Sequence, residues 1–218
     1  MSRFILRGGR SLSGHGPRRG NNGPIVRGDL VNLGDVRRYF CFSTLILFVS
    51  IITGYIYGLL FPECLEGAFS GWEPLLEWVK GAGHLELFLL IFLNNTIKSF
   101  IIMVLGLGLG VIPGVFLIYN GLYIGLAVYL MKGVAGWKGV VLGIMPHGII
   151  EIPAVLLAAG VGMRLGDILL QTLLMRGQFD IRSEFKGAVS IFFRLILPML
   201  FIAALIEAFV TSQLVGRM

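Results

Sequence analysis

Three stretches of this chain that are otherwise apolar contain side chains able to bind ions, hold protons or form ion pairs. Asn94, Asn95 and Lys98 interrupt the run 85–105, Asn120 sits next to Gly121 in the run 111–131, and Pro146, His147, Gly148, Glu151 and Pro153 fall in the run 139–162. Asn94 and Lys98 are four residues apart, as are His147 and Glu151, and on a helix that spacing puts each pair on one face. A lone charge at the centre of a bilayer costs about 3 kcal/mol on insertion scales. A Lys98–Glu151 ion pair is therefore the expected arrangement, with Asn94, Asn95, Asn120 and His147 completing its hydrogen bonds. Pro146 and Pro153 lack an N–H, which releases the carbonyls of Leu142 and Ile149. Inside a membrane such backbone is tolerated where protein or water satisfies it again. Two readings of the set stay open: polar glue between helices, or a site for an ion, a proton or a small solute.

Hydrolytic chemistry has less support. A hydrolase needs a nucleophile with an oriented base, or a metal with several ligands. Ser99 has no evident base, His147 is the only histidine within an apolar run, His84 lies at the edge of one, and no His-Glu-x-x-His pattern occurs. Cys41 and Cys64 fall at opposite ends of the first apolar run, too far apart for a disulfide, and they form no metal framework. The expectation is a protein that is not an enzyme, with no metal and no cofactor.

The elements that must position these residues follow from composition. Of 218 residues, 56% are hydrophobic and 14% charged, and mean hydropathy is +0.86; a soluble domain carries about a quarter charged residues. The apolar runs are long enough to cross a bilayer as helices, which need roughly 20 residues, and they do not alternate as barrel strands would. The predicted fold is all-α: a polytopic transmembrane helix bundle of about five spans, 36–60, 85–105, 111–131, 139–162 and 188–211. Short interfacial helices are expected at 72–78, where Trp72 and Trp78 suit the headgroup zone, and at 167–175. Asp35 and Asp167 are candidate N-caps. Residues 1–34, rich in Arg, Gly and Ser, read as a flexible basic tail, and 35–218 as the membrane domain. Gly106, Gly108, Gly110, Pro113 and Gly114 supply the reversal between the second and third spans. A short connection from Lys132 to Lys138 leads to the fourth, and Pro198 interrupts the fifth. Arg194 and Glu207 lie near the ends of that last span, where snorkelling accounts for them.

Glycines recur four apart at Gly54/Gly58, Gly106/Gly110/Gly114, Gly121/Gly125 and Gly139/Gly143. This spacing lines one helix face with small residues and lets backbones approach, as in a tight bundle or a homo-oligomer. Gly148 with Pro146 and Pro153 marks a further helix break or close contact.

Taken together, Asn94-Asn95, Gly106/Gly110, Asn120-Gly121 with Gly125, and the Pro146-His147-Gly148-x-x-Glu151-x-Pro153 run followed by Gly160 resemble the stage II sporulation protein M family. The resemblance covers about residues 38–211, and the Pro-His-Gly-x-x-Glu run is its most specific part. It implies a five-span protein of the cytoplasmic membrane. The founding member works in engulfment, in a complex with peptidoglycan-degrading partners, while many relatives occur in organisms that do not sporulate. Lys98 and the basic tail lie outside the family pattern, and the family assigns no chemical role to the matching polar residues. The resemblance favours a membrane scaffold or complex component with cell-envelope partners over a transporter or channel, and both over an intramembrane hydrolase.

The net charge of +6 does not point to nucleic acid, because eight basic residues, ending with Arg37 and Arg38, fall before the apolar stretch that starts at Tyr39. The bilayer is the expected partner. With the N-terminus inside, those eight and Arg164, Arg176, Arg182 and Lys186 make twelve inner basic residues, against four outside (Lys80, Lys132, Lys138, Arg217). Basic residues favour the cytoplasmic side, so the N-terminus is expected inside and the C-terminus outside. In a chain whose own cysteines are replaced, a cysteine at Leu75 should then react with an impermeant thiol reagent added outside. Reaction from the cytoplasmic side alone would reverse the orientation.

Overall fold

The computed structural model describes residues 33–65, 81–174 and 180–211, leaving out the side chains at 33–35, 64, 144–147 and 210–211. The tail up to residue 32 and the interfacial helix expected at 72–78 lie outside the described residues. Helix α1 spans Leu33–Leu60 and is followed by a 3-10 turn, Pro62–Leu65; α2 spans His84–Leu105. Helical structure from Val111 to Leu173 is broken at Gly136 (φ 65°, ψ −172°), giving α3 (111–135) and α4 (137–173). The last rod joins α5 (Ile181–Ile191), a π-helical segment (Phe192–Ile196), α6 (Leu197–Ile206) and a second π-helical segment (Glu207–Thr211). Five helical stretches are long and apolar enough to cross a membrane, and no strand occurs among the described residues. The chain is a helical, integral membrane protein.

Several boundaries differ from expectation, each for a local reason. The α1 helix begins at Leu33, so its backbone is already helical at Asp35. The α3–α4 reversal needs one residue rather than a seven-residue connection, because glycine at positive φ turns the chain alone. Residues 167–173 form no separate surface helix: α4 continues through them, and the Asp167 carboxylate accepts from the Tyr39 hydroxyl and from Gln171 Nε2 instead of capping. The last rod starts at Ile181, earlier than residue 188, because Asp180 caps it by accepting from the Arg182 N–H at 3.1 Å. Pro198 does not interrupt it. The π-helical segment just before the proline, in which the Leu197 N–H donates to the Phe192 carbonyl, takes up the missing bond.

Helix α4 is the axis of the bundle. In an apolar 18-residue stretch of its span 61% of the residues are buried, against 22–28% in the corresponding stretches of the others. Its inward face is made of Ala154, Ala158, Ala159, Gly160, Gly162 and Gly166, small enough for neighbours to close in from several sides. Met103, Leu117, Phe192, Ile196 and Leu200 fill the space around it. A Cβ on Gly106 would overlap the Gly162 carbonyl, and one on Gly166 would overlap the Gly110 nitrogen, so the α2–α3 turn lies backbone to backbone on α4. Leu109 (φ 59°) and Gly110 (φ 74°) form that turn, which is closed by the Gly110 N–H donating to Gly106 O at 2.7 Å. A second seam joins α1 to α3: a Cβ on Gly54 would overlap the Leu122 carbonyl, and one on Gly125 the Ile51 carbonyl. These contacts run α1, α3 and the last rod in one direction and α2 and α4 in the other. The start of α1, the α2–α3 turn and the end of α4 therefore share one end of the bundle, the near end.

Gly125→Ala and Gly166→Ala should each lower thermal stability in detergent, by roughly the 1–3 kcal/mol that overpacking costs. Gly133→Ala, where a Cβ meets nothing within 4 Å, is the control and should leave the melt unchanged. Equal melts for all three would refute the two seams.

Candidate functional site in the membrane helices

On α2 the buried face is Leu87, Phe88, Ser99, Ile102 and Met103. Asn94 and Lys98 lie on the opposite stripe, exposed among Leu90, Leu93, Ile97, Ile101 and Leu105. Asn94 Nδ2 donates to Asn95 Oδ1 at 3.3 Å, and Asn95 is half-buried beside the stripe. Lys98 has no hydrogen-bond or ion-pair partner among the described residues.

On α3, Asn120 is half-buried and donates through Nδ2 to the Phe116 carbonyl at 2.8 Å, one turn back in its own helix. Its neighbour Gly121 faces α1, where a Cβ would come within 2.5 Å of the Ser50 Cβ. On α4, Glu151 and Pro153 are half-buried and Gly148 is buried, and the helix runs unbroken through Pro146 and Pro153. The side chain of His147 lies outside the described residues. Gly114, one turn into α3, meets only the Met163 methyl at 3.7 Å.

The expected Lys98–Glu151 pair does not form, and helix register is the reason. Ile102 and Met103 lie against Gly162, and α2 and α4 run the same way, so Glu151 is level with residues near 91–92 of α2. Lys98 is some seven residues further on, about 10 Å at the helical rise. It also lies on the outward side of α2. Asn94, Lys98 and Asn120 therefore do not close around a common point between α2, α3 and α4.

The sequence reading passed over the two ends of the bundle, where polar groups do meet. At the near end, Arg164 is buried and its Nη1 donates to Glu184 Oε2 at 2.6 Å, tying α4 to α5, while Tyr39 and Asp167 tie α1 to α4. At the far end, Lys132 Nζ donates to the Tyr55 hydroxyl at 2.8 Å and lies 5.0 Å from the centre of the Trp137 ring. His84 Nδ1 sits 2.9 Å from the Ala208 carbonyl and its ring packs on Phe209. The available signal was the position of Arg164 and Asp167 inside an unbroken helical pattern. A groove of about 430 Å³ between α1 and α3, lined by Leu45, Ile46, Val49, Ser50, Thr53, Ile118 and Leu122, is apolar. The hydroxyls of Ser50 and Thr53 in it bond to carbonyls of their own helix. No three metal-ligating side chains gather among the described residues.

Residues this far apart should behave independently. The stability effects of Lys98→Met and Glu151→Gln are expected to add within about 0.5 kcal/mol in a double-mutant cycle. A coupling of several times that size would put the two side chains in contact.

A family model described as Stage II sporulation protein M matches residues 43–212. No curated protein and no solved structure matches the chain significantly. The matched segment starts within α1 and takes in the α2–α3 turn, the α3–α4 reversal and the last rod, so all the crossing helices and both glycine seams fall in it. The chain belongs to the Stage II sporulation protein M family.

Proposed function

We propose that this protein is a non-enzymatic scaffold of the cell membrane, a component that holds other membrane or cell-envelope proteins in place. The observation that carries this reading is the packed centre of the bundle. From mid-height toward the near end, Ala154, Ala158, Ala159 and Val161 of α4 meet Met103, Leu117, Phe192, Ile196 and Leu200, all buried and all apolar. Carriers place their substrate site near the bilayer midplane, at interfaces between helix bundles that move relative to one another. A core joined backbone to backbone at two seams resists such motion and suits a rigid platform. Family membership supports the same reading, and the distribution of basic residues favours a cytoplasmic near end.

Transport is the second reading, favoured by one observation: Glu151, half-buried in the central helix, is an ionisable group at membrane depth. Reconstitution of the purified chain into liposomes loaded with pH- and potassium-sensitive dyes separates the two. The scaffold reading expects leakage equal to that of protein-free vesicles, for the parent and for Glu151→Gln alike. An ion flux that Glu151→Gln abolishes would overturn it.

A further inference from the structure

We propose that the outward stripe of α2 carrying Asn94 and Lys98 docks a transmembrane helix of a partner protein, one that presents a carboxylate level with Lys98. This rests on the reading of the chain as a complex component and names the chemistry of its partner. The stripe runs from Leu90 through Leu93, Asn94, Ile97, Lys98 and Ile101, on the side of α2 turned away from the bundle. It is apolar except at two positions, and those two present an amide and an ammonium side by side, one helical turn apart.

The membrane surface does not solve the lysine. Lys98 is seven residues from the end of α2 at Leu105 and fourteen from its start at His84, roughly 10 Å and 21 Å at the helical rise. Helical side chains lean toward the N-terminus of their helix, which here is the more distant end. Lysines relieve their charge by snorkelling when they sit close to a helix end; this one sits deep and leans inward. Nothing in its own bundle receives it among the described residues. An acidic side chain on a neighbouring helix relieves both charges at once, and charge-assisted hydrogen bonds are the strong ones. A carboxylate has two oxygens, so it can accept from the ammonium and from the Asn94 amide together.

A second copy of the chain is the poorer occupant. Two-fold packing brings the same patch onto itself, setting Lys98 against Lys98. A lipid phosphate carries the right charge but lies at the headgroup level, about 10 Å away along the helix axis by the same rise.

The test uses the full chain in its native membranes, with a photo-crosslinking residue at Ile97 or Ile101 and, as a control, at Phe48 on the exposed side of α1. A protein adduct is expected from α2, mapping to a transmembrane segment with Asp or Glu within one helical turn of the crosslinked residue. Lys98→Met should reduce that adduct at least fivefold, and Lys98→Arg should preserve it. Because Lys98 is exposed and has no hydrogen bond or ion pair among the described residues, both variants should melt like the parent, which separates lost docking from lost folding. An adduct with a second copy, an adduct with lipid alone, a segment without a carboxylate, or indifference to Lys98→Met would each overturn the proposal. Protein adducts from Phe48 with none from α2 would refute this surface and leave the scaffold reading standing. No protein adduct at any position, together with ion flux in liposomes, would remove both.

Discussion

The contact on which the rest of the bundle depends is the approach of two backbones, the Gly106–Gly110 turn against Gly162 and Gly166 of α4. In a bilayer, helices gain nothing from hiding apolar surface from one another, since lipid is as apolar as leucine. Association must come from close packing, and packing is closest where there are no side chains. This seam fixes where α2 ends and where α3 begins, and it sets the register between α2 and α4. That register in turn keeps Lys98 and Glu151 apart. A charged pair that looks natural from spacing alone is prevented by the line along which two glycine-lined surfaces meet.

Among the described residues, polar contacts that tie one helix to another stand at both ends of the bundle. Arg164 with Glu184 and Tyr39 with Asp167 join α4 to α5 and α1 to α4 at the near end, and Lys132 with Tyr55 joins α3 to α1 at the far end. Elsewhere the helices meet through small residues, aliphatic side chains and edge-to-face aromatic contacts such as those of Phe88 and Phe92 with Phe201. The division follows from solvation: near the interface an ionic side chain retains some contact with water, whereas at mid-height it must be matched completely or faced outward.

The fold was largely legible because the bilayer imposes a length and an apolar composition that individual residues cannot hide. Five runs of sufficient length became five crossing helices. The glycine spacing marked Gly54, Gly121 and Gly125 as close-packing positions without saying which helices they join, and it included Gly106 and Gly110. It missed Gly162 and Gly166, because Arg164 between them suggested that the span had ended. The same residue misled the reading of 167–173 as a separate surface helix, when in fact Arg164 is buried against Glu184 and α4 continues past it. The candidate site was less legible. Residues four apart define a face of their own helix, but which way that face turns depends on the neighbours, and no periodicity records it. Asn120 shows a further gap: its amide is satisfied by the Phe116 carbonyl of the same helix, a local solution that makes no demand on α2 or α4.

The single-residue reversal at Gly136 bears on how the protein is made. With α3 ending at 135 and α4 starting at 137, no stretch of loop exists on which the chain could pause between two insertion events. Met131 reaches across to Gly143, so the two helices are already in contact within two turns of the bend. The two helices therefore form one tight hairpin, with Lys132 and Lys138 close to its tip. The Tyr55 hydroxyl and the Trp137 ring next to Lys132 receive its charge there.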